Sequence, residues 1–287
     1  MANELATASR YNIMQGKVAI VLGLGQLYLG YGQEVISSQV SRDVVIDDTH
    51  MNDLRTDMIN AYVHQTGILP LLTTVNEGDL ITEDIWLEYE AVANLIRANA
   101  DEIFRDTQIS TELKLTVTRK QSWGGDEQPQ RIYHDFNVTF LNYEELRHFF
   151  NTGGMIEFNP SMVNTSGAKS QDWQALLSAI SKVTYDRTGA DCPTGFPETI
   201  GPLELTEDFQ RIYIKTGSGI YAENTYTIEA KRVNNIITFS VEFYDGLANF
   251  SDEPVQGTLS QTIVQQRATG TYVEVPSPLY QNVKALS

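Results

Sequence analysis

Four histidines, one cysteine and a crowd of carboxylates are the side chains here whose types could do chemistry. Glycoside hydrolysis needs two carboxyl groups opposed across a cleft, one protonated and one ionised. Asp47-Asp48, Glu83-Asp84, Asp126-Glu127, Glu144-Glu145, Glu207-Asp208 and Asp252-Glu253 are neighbours in sequence instead, and adjacency supplies no such separation. Zinc needs His and Cys at ligand spacing. His50, His64, His134 and His148 contain no pair within one helical turn, and a lone cysteine completes no zinc set. Only a metal shared between subunits stays open. Cys192 can form no intrachain disulfide, and it lies in a loop-like segment without the neighbouring base that activates a thiol. No G-x-S-x-G occurs, and Gly217-Ser218-Gly219 lacks that spacing. The expectation is no catalytic residue, no resident metal and no enzyme.

KVAIVLGLGQLYLG, residues 17–30, imitates the strand and turn of a dinucleotide site. That site requires a third glycine three residues after the second, so that helix and strand can pack closely. Tyr28 stands there. No cofactor is expected; the segment reads as a helix ending near Leu22, followed by a glycine-rich loop through Gly32. Trp123-Gly124-Gly125, in KQSWGGDEQPQ, is different. A tryptophan before two glycines at a hairpin end can be a stacking platform for a sugar or a partner, or it can fold back and bury its ring. Both readings stand at the level of sequence.

The elements that must position these residues change period near residue 110. Before it the spacing is helical. Asp47, Asp48 and Thr49 offer caps to MNDLRTDMINAYVHQTG, where Met51, Leu54, Met58, Ala61 and Tyr62 recur at helical steps and Gly67 is the stop. A second helix starts at Thr82, with Ile85, Tyr89, Val92, Ile96 and Ile103 on one apolar stripe about five turns long. Ile85, Tyr89, Val92 and Ile96 are the candidate assembly contacts, to be covered either by the chain's own core or by the same helix of another copy.

After residue 110 the period is two. Leu113, Leu115 and Val117 share a face, as do Ile132, His134, Phe136, Val138 and Phe140. Tyr226, Ile228 and Ala230 alternate, as do Ile237, Phe239, Val241 and Phe243, with Asn234-Asn235 suited to the tight turn between them. Val255 to Gln265 gives a further strand. Two short helices intervene: 142–151, with the capping-box spacing Asn142 to Glu145, and 170–180, with Ser170 as cap. VPSPLYQNVKALS reads as an extended arm. The predicted fold is α+β: a helical part over 1–110, then a β-sandwich-like part over 111–287 with short edge helices and a C-terminal arm.

Composition narrows the function classes. An apolar share of 41% and a charged share of 20% describe an ordinary globular chain. Its net charge of -17 and the absence of clustered Lys and Arg argue against a nucleic-acid partner and against an anionic membrane surface. The apolar run Val18 to Leu29 is too short and too broken to span a bilayer. MANELATASRYNIMQ has no basic start before an apolar core, so no secretory signal is expected.

YEELRHFFNTGGMIEF, residues 143–158, resembles a phrase of virion structural proteins from tailed bacteriophages, those of marine cyanobacteria above all. LGYGQEVISSQV with DDTHMNDLRTDMINAYVHQTG carries the same likeness. So does NTYTIEAKRVNNIITFSVEFYD with DEPVQGTL, and SQDWQALLSAISKVTYD fits between them. Together these stretches span most of residues 29–259. The resemblance implies a particle component of the neck, tail or fibre, made in the host cytoplasm. It implies contacts with other virion proteins and with further copies of itself. It transfers no active-site residue. A receptor- or glycan-binding module of a tail appendage, with Trp123 at its tip, and a capsid decoration protein are the alternatives.

Overall fold

The structure is a computed structural model that describes residues 2–126, 128–246 and 253–287; Glu127 and Asp252, members of two carboxylate pairs, lie outside the described residues. Along the chain come α1 (Ala2–Leu22), α2 (Asp48–Thr66), α3 (Glu83–Ala98) and the single turn α4 (Arg105–Gln108). Then follow β1 (Ile109–Arg119), β2 (Arg131–Thr139), α5 (Tyr143–Asn151), β3 (Met155–Ser166) and α6 (Ala168–Ile180). The remainder, apart from one 3-10 turn (Gly219–Tyr221), is strand: β4 (Val183–Asp186), β5 (Gly189–Asp191), β6 (Phe196–Pro197), β7 (Gln210–Thr216), β8 (Thr225–Val233), β9 (Ile236–Tyr244), β10 (Gln256–Ala268) and β11 (Leu279–Ala285). Helices first and two antiparallel sheets after them make this the α+β fold that the change of period predicts.

Two compact units divide the chain. The first comprises 1–110, 147–153 and 267–276; the second comprises 111–146, 154–266 and 277–287. In the first unit α1, α2 and α3 pack on one another, because each presents an apolar stripe that water excludes. Met14, Val18 and Val21 of α1 are buried, as are Met51, Leu54 and Met58 of α2 and Tyr89 and Ile96 of α3. The Asp47 side chain caps α2 by accepting the His50 N–H, and the His50 ring reaches back to the Asp47 N–H. Gly67 closes the helix with its N–H on Val63 O at 2.8 Å. α3 ends at Ala98, so Ile103 belongs to the following loop and the stripe is shorter than its spacing predicts.

The short segments 147–153 and 267–276, which the switch to period two assigns to the β-rich part, cluster with the N-terminal helices. Polar bonding explains the first of them. The loop after α1 turns carbonyls inward, and the end of α5 supplies the donors those acceptors need. Arg147 donates to Leu24 O, Leu27 O and Leu29 O, and Asn151 Nδ2 to Leu27 O and Gly30 O. Gly32, at φ +72°, passes so close that a Cβ would stand 2.3 Å from His148 Nδ1. The glycines that imitate a dinucleotide loop turn the chain back on itself instead: a Cβ on Gly25 would stand 2.4 Å from Leu29 O, and one on Gly30 2.1 Å from Leu24 O.

In the second unit the sheets run β1-β10-β3-β4-β5 and β11-β2-β9-β8-β7-β6. Rings from both fill the space between them: Phe158 of β3 lies 5.9 Å from Phe136 of β2, and Tyr185 of β4 lies 5.4 Å from Phe239 of β9. This is sheet-on-sheet packing. β8 and β9 form the predicted hairpin, in register from Val233↔Ile236, with Asn234 at φ +55° in the turn. Three local expectations are corrected. The segment between β1 and β2 is not a hairpin tip, since those strands belong to different sheets. Ser170 lies within α6, whose cap is Gly167, and its Oγ accepts the Gln256 N–H at 2.8 Å. The C-terminal arm is an edge strand: β11 pairs with β2, Tyr280 opposite Val138 and Asn282 opposite Phe136.

Candidate interaction surfaces

The apolar stripe of α3 is occupied within the first unit. Tyr89, Val92 and Ile96 are buried, and only Ile85 keeps partial exposure. Tyr89 Oη donates to Thr73 O at 2.8 Å, and Gln65 Nε2 donates to Ile96 O at 3.0 Å. Three of the four candidate assembly contacts thus have their partners in their own unit.

Trp123 is 1% exposed, so its ring offers no face to a sugar or a protein. It meets Trp173 edge-on at 4.7 Å, and its backbone exchanges both N–H···O bonds with Val255. Gly124 and Gly125 are buried with it. Gly124 has φ +66°, and a Cβ there would stand 2.2 Å from Asp245 Oδ2. Gly125 N–H donates to that oxygen at 3.0 Å, and Lys169 Nζ lies 2.7 Å from it. The tip is corrected to an interior anchor: two glycines let the backbone approach a buried carboxylate, and the tryptophan fills the space beside it. Nothing in the local pattern distinguishes this from a platform, because Lys169 and Asp245 are far away in sequence.

The histidines behave as packed side chains. His134 Nε2 bonds Asn282 Oδ1 at 2.8 Å, and burial lowers its pKa. His64 donates from Nε2 to Thr152 O at 3.2 Å, with its pKa pushed down to about 4 by burial. Among the described residues no group of three or more His, Cys, Asp or Glu is arranged to hold a metal ion. Nor is any described helix long and apolar enough to cross a membrane.

A surface that the spacing does not announce lies in the first unit. Val44, Val45 and Ile46, just before the cap of α2, meet Leu80, Ile81 and Trp86 around a groove of about 330 Å³. Val45 is 70% exposed and Leu80 82%. Asp47, Asp48 and Asp79 stand at the same groove. The His50 N–H holds the Asp47 carboxyl below its ordinary pKa, and the Asn76 N–H does the same for Asp79, so both are ionised at neutral pH. Ile68, Leu69 and Leu71 are also largely exposed, in the link between α2 and α3. Its mark in the sequence is DVVIDD, residues 43–48, an apolar trio between acids that belongs to no helical or strand period. An apolar floor with a charged margin is the make-up of a protein-contact surface. Comparison with protein-family models, with curated proteins and with solved structures finds no match to this chain.

Proposed function

We propose that this chain is a non-enzymatic structural component of a tailed-phage virion, assembled in the host cytoplasm and held in the neck, tail or fibre by protein–protein contacts with further copies and with other virion proteins. The observation that carries this reading is the exposed apolar groove around Val45 and Leu80. Exposed apolar surface gathered in one place is costly for a monomer and stabilising once a neighbour covers it. The likeness of YEELRHFFNTGGMIEF and its companion stretches to tailed-phage virion proteins supports the same direction. With Trp123 buried, the glycan-binding alternative has lost the ring that motivated it.

The test is the molar mass of the purified chain by light scattering during size exclusion. A closed oligomer is expected, a trimer pointing to a fibre and a six- or twelve-fold ring to the tail or neck. The double variant Val45→Asp, Leu80→Asp should shift the mass toward the monomer, with its secondary structure unchanged. A wild-type chain that stays monomeric over a wide concentration range sinks self-assembly.

A further inference from the structure

We propose that Lys169 and Asp245 become joined by an intramolecular isopeptide bond. Lys169 Nζ lies 2.7 Å from Asp245 Oδ2, and the two side chains are 4% and 0% exposed. Lys169 belongs to the first turn of α6, and Asp245 follows directly after β9, 76 residues along the chain. Trp173, one helical turn beyond Lys169, stacks edge-on with Trp123, the neighbour of Gly124. The pair is thus enclosed beside aromatic rings, away from water. A hydrogen-bonded contact of this length puts the carboxyl carbon about 3.5 Å from the amine nitrogen, the separation of a near-attack arrangement.

The chemistry balances without any co-reactant. Taking two opposed charges out of water is costly, and passing one proton from Nζ to the carboxylate leaves a neutral amine beside a neutral carboxylic acid. The proton from Nζ goes to Oδ2, the oxygen it already contacts. Nζ then attacks Cγ. As the Cγ–Nζ bond forms, the carbonyl electron pair moves onto Oδ1. Oδ2, which accepts the Gly125 N–H at 3.0 Å, takes a second proton from the nitrogen and leaves as water, and the electron pair on Oδ1 returns to complete the amide. Nothing is oxidised or reduced. The glycines at 124 and 125 gain a purpose in this step: the first makes room for the carboxyl group, and the second points an amide at the oxygen that departs. The product is uncharged, so the cost of burying the ions disappears with the reaction. It also pins α6 to the end of β9, closing a long loop of the sandwich against extension.

The test is the intact mass of the denatured full chain, followed by peptide mapping. The wild type is expected one water lighter than its sequence mass. Trypsin should then pass over Lys169 and release a branched peptide containing both Lys169 and Asp245. Lys169→Arg, which keeps the charge and cannot form the amide, should return to full mass. A wild-type chain at full mass with two linear peptides overturns the proposal. So does a water loss that persists in Lys169→Arg without a branched peptide, because Asp245 precedes Gly246 and that dipeptide can lose water by closing a backbone succinimide.

Discussion

His64 lies in the interior of the first unit. Its Nε2 donates to Thr152 O, the Tyr31 ring stands edge-on at 5.0 Å, and Nδ1 has no hydrogen-bond partner among the described residues. A proton on Nδ1 would add a buried charge that nothing there neutralises, which is why burial holds the ring near pKa 4, below the ordinary 6.5. The sign of the linkage follows. Above pH 6.5 neither the folded nor the unfolded chain is protonated at this ring, and His64 adds no pH dependence. Between 6.5 and 4 the unfolded chain takes up a proton that the folded chain refuses, so stability falls with pH. The full loss is about 3 kcal/mol. Denaturant melts of the wild type and of His64→Gln across this range should diverge by up to that amount, the wild type having the steeper fall; parallel curves would refute the assignment. Burial also separates what was legible at single residues from what was not. His134 belongs to a periodic apolar pattern, and position on that face is enough to predict an interior ring, whereas His64 was marked by no such pattern. Trp123 belongs to none, and its fate depends on Lys169, Trp173 and Asp245, which only the folded chain brings together.

At the scale of elements, period identifies strands and helices well because it records which face water leaves. The α2 cap at Asp47, its stop at Gly67, the end of α1 at Leu22 and the β8–β9 hairpin were all readable from local residue types. Partner choice was not. β1 and β2 look like a hairpin along the chain, yet they pair in different sheets, because alternation fixes a face and leaves the neighbour unspecified. β11 escaped for the converse reason. It is an edge strand with Leu279 and Val283 both exposed, so no inward period marks it. The α3 stripe admits a direct test of core against interface. Ile96→Ala should cost about 2–5 kcal/mol through a cavity in the first unit. Because Ile96 is buried in its own chain, the melting shift should be the same at every protein concentration. A loss that appears only on dilution would make Ile96 an intersubunit contact after all.

At the scale of the whole molecule, the first unit is assembled from residues 1–110, 147–153 and 267–276. Segments so distant in sequence carry no common period, which is why the boundary near residue 110 was visible and the two later insertions were not. The charge, in contrast, is legible without any structure, and it constrains how copies meet. Each chain carries -17 at neutral pH, so the long-range force between two copies is repulsive, while the groove around Val45 and Leu80 attracts only at contact. Added salt shortens the Debye length from about 30 Å at 0.01 M to about 8 Å at 0.15 M. That removes repulsion beyond the interface and leaves apolar burial in place. Self-association should therefore strengthen as salt is raised over this range, seen as a rising weight-average mass in light scattering at fixed protein concentration. Val45→Asp, Leu80→Asp should lose most of that response, since it deletes the attraction that screening uncovers and adds charge where copies would touch. Dissociation on adding salt would mean that ion pairs hold the copies together, and the groove would then not be the surface that joins them.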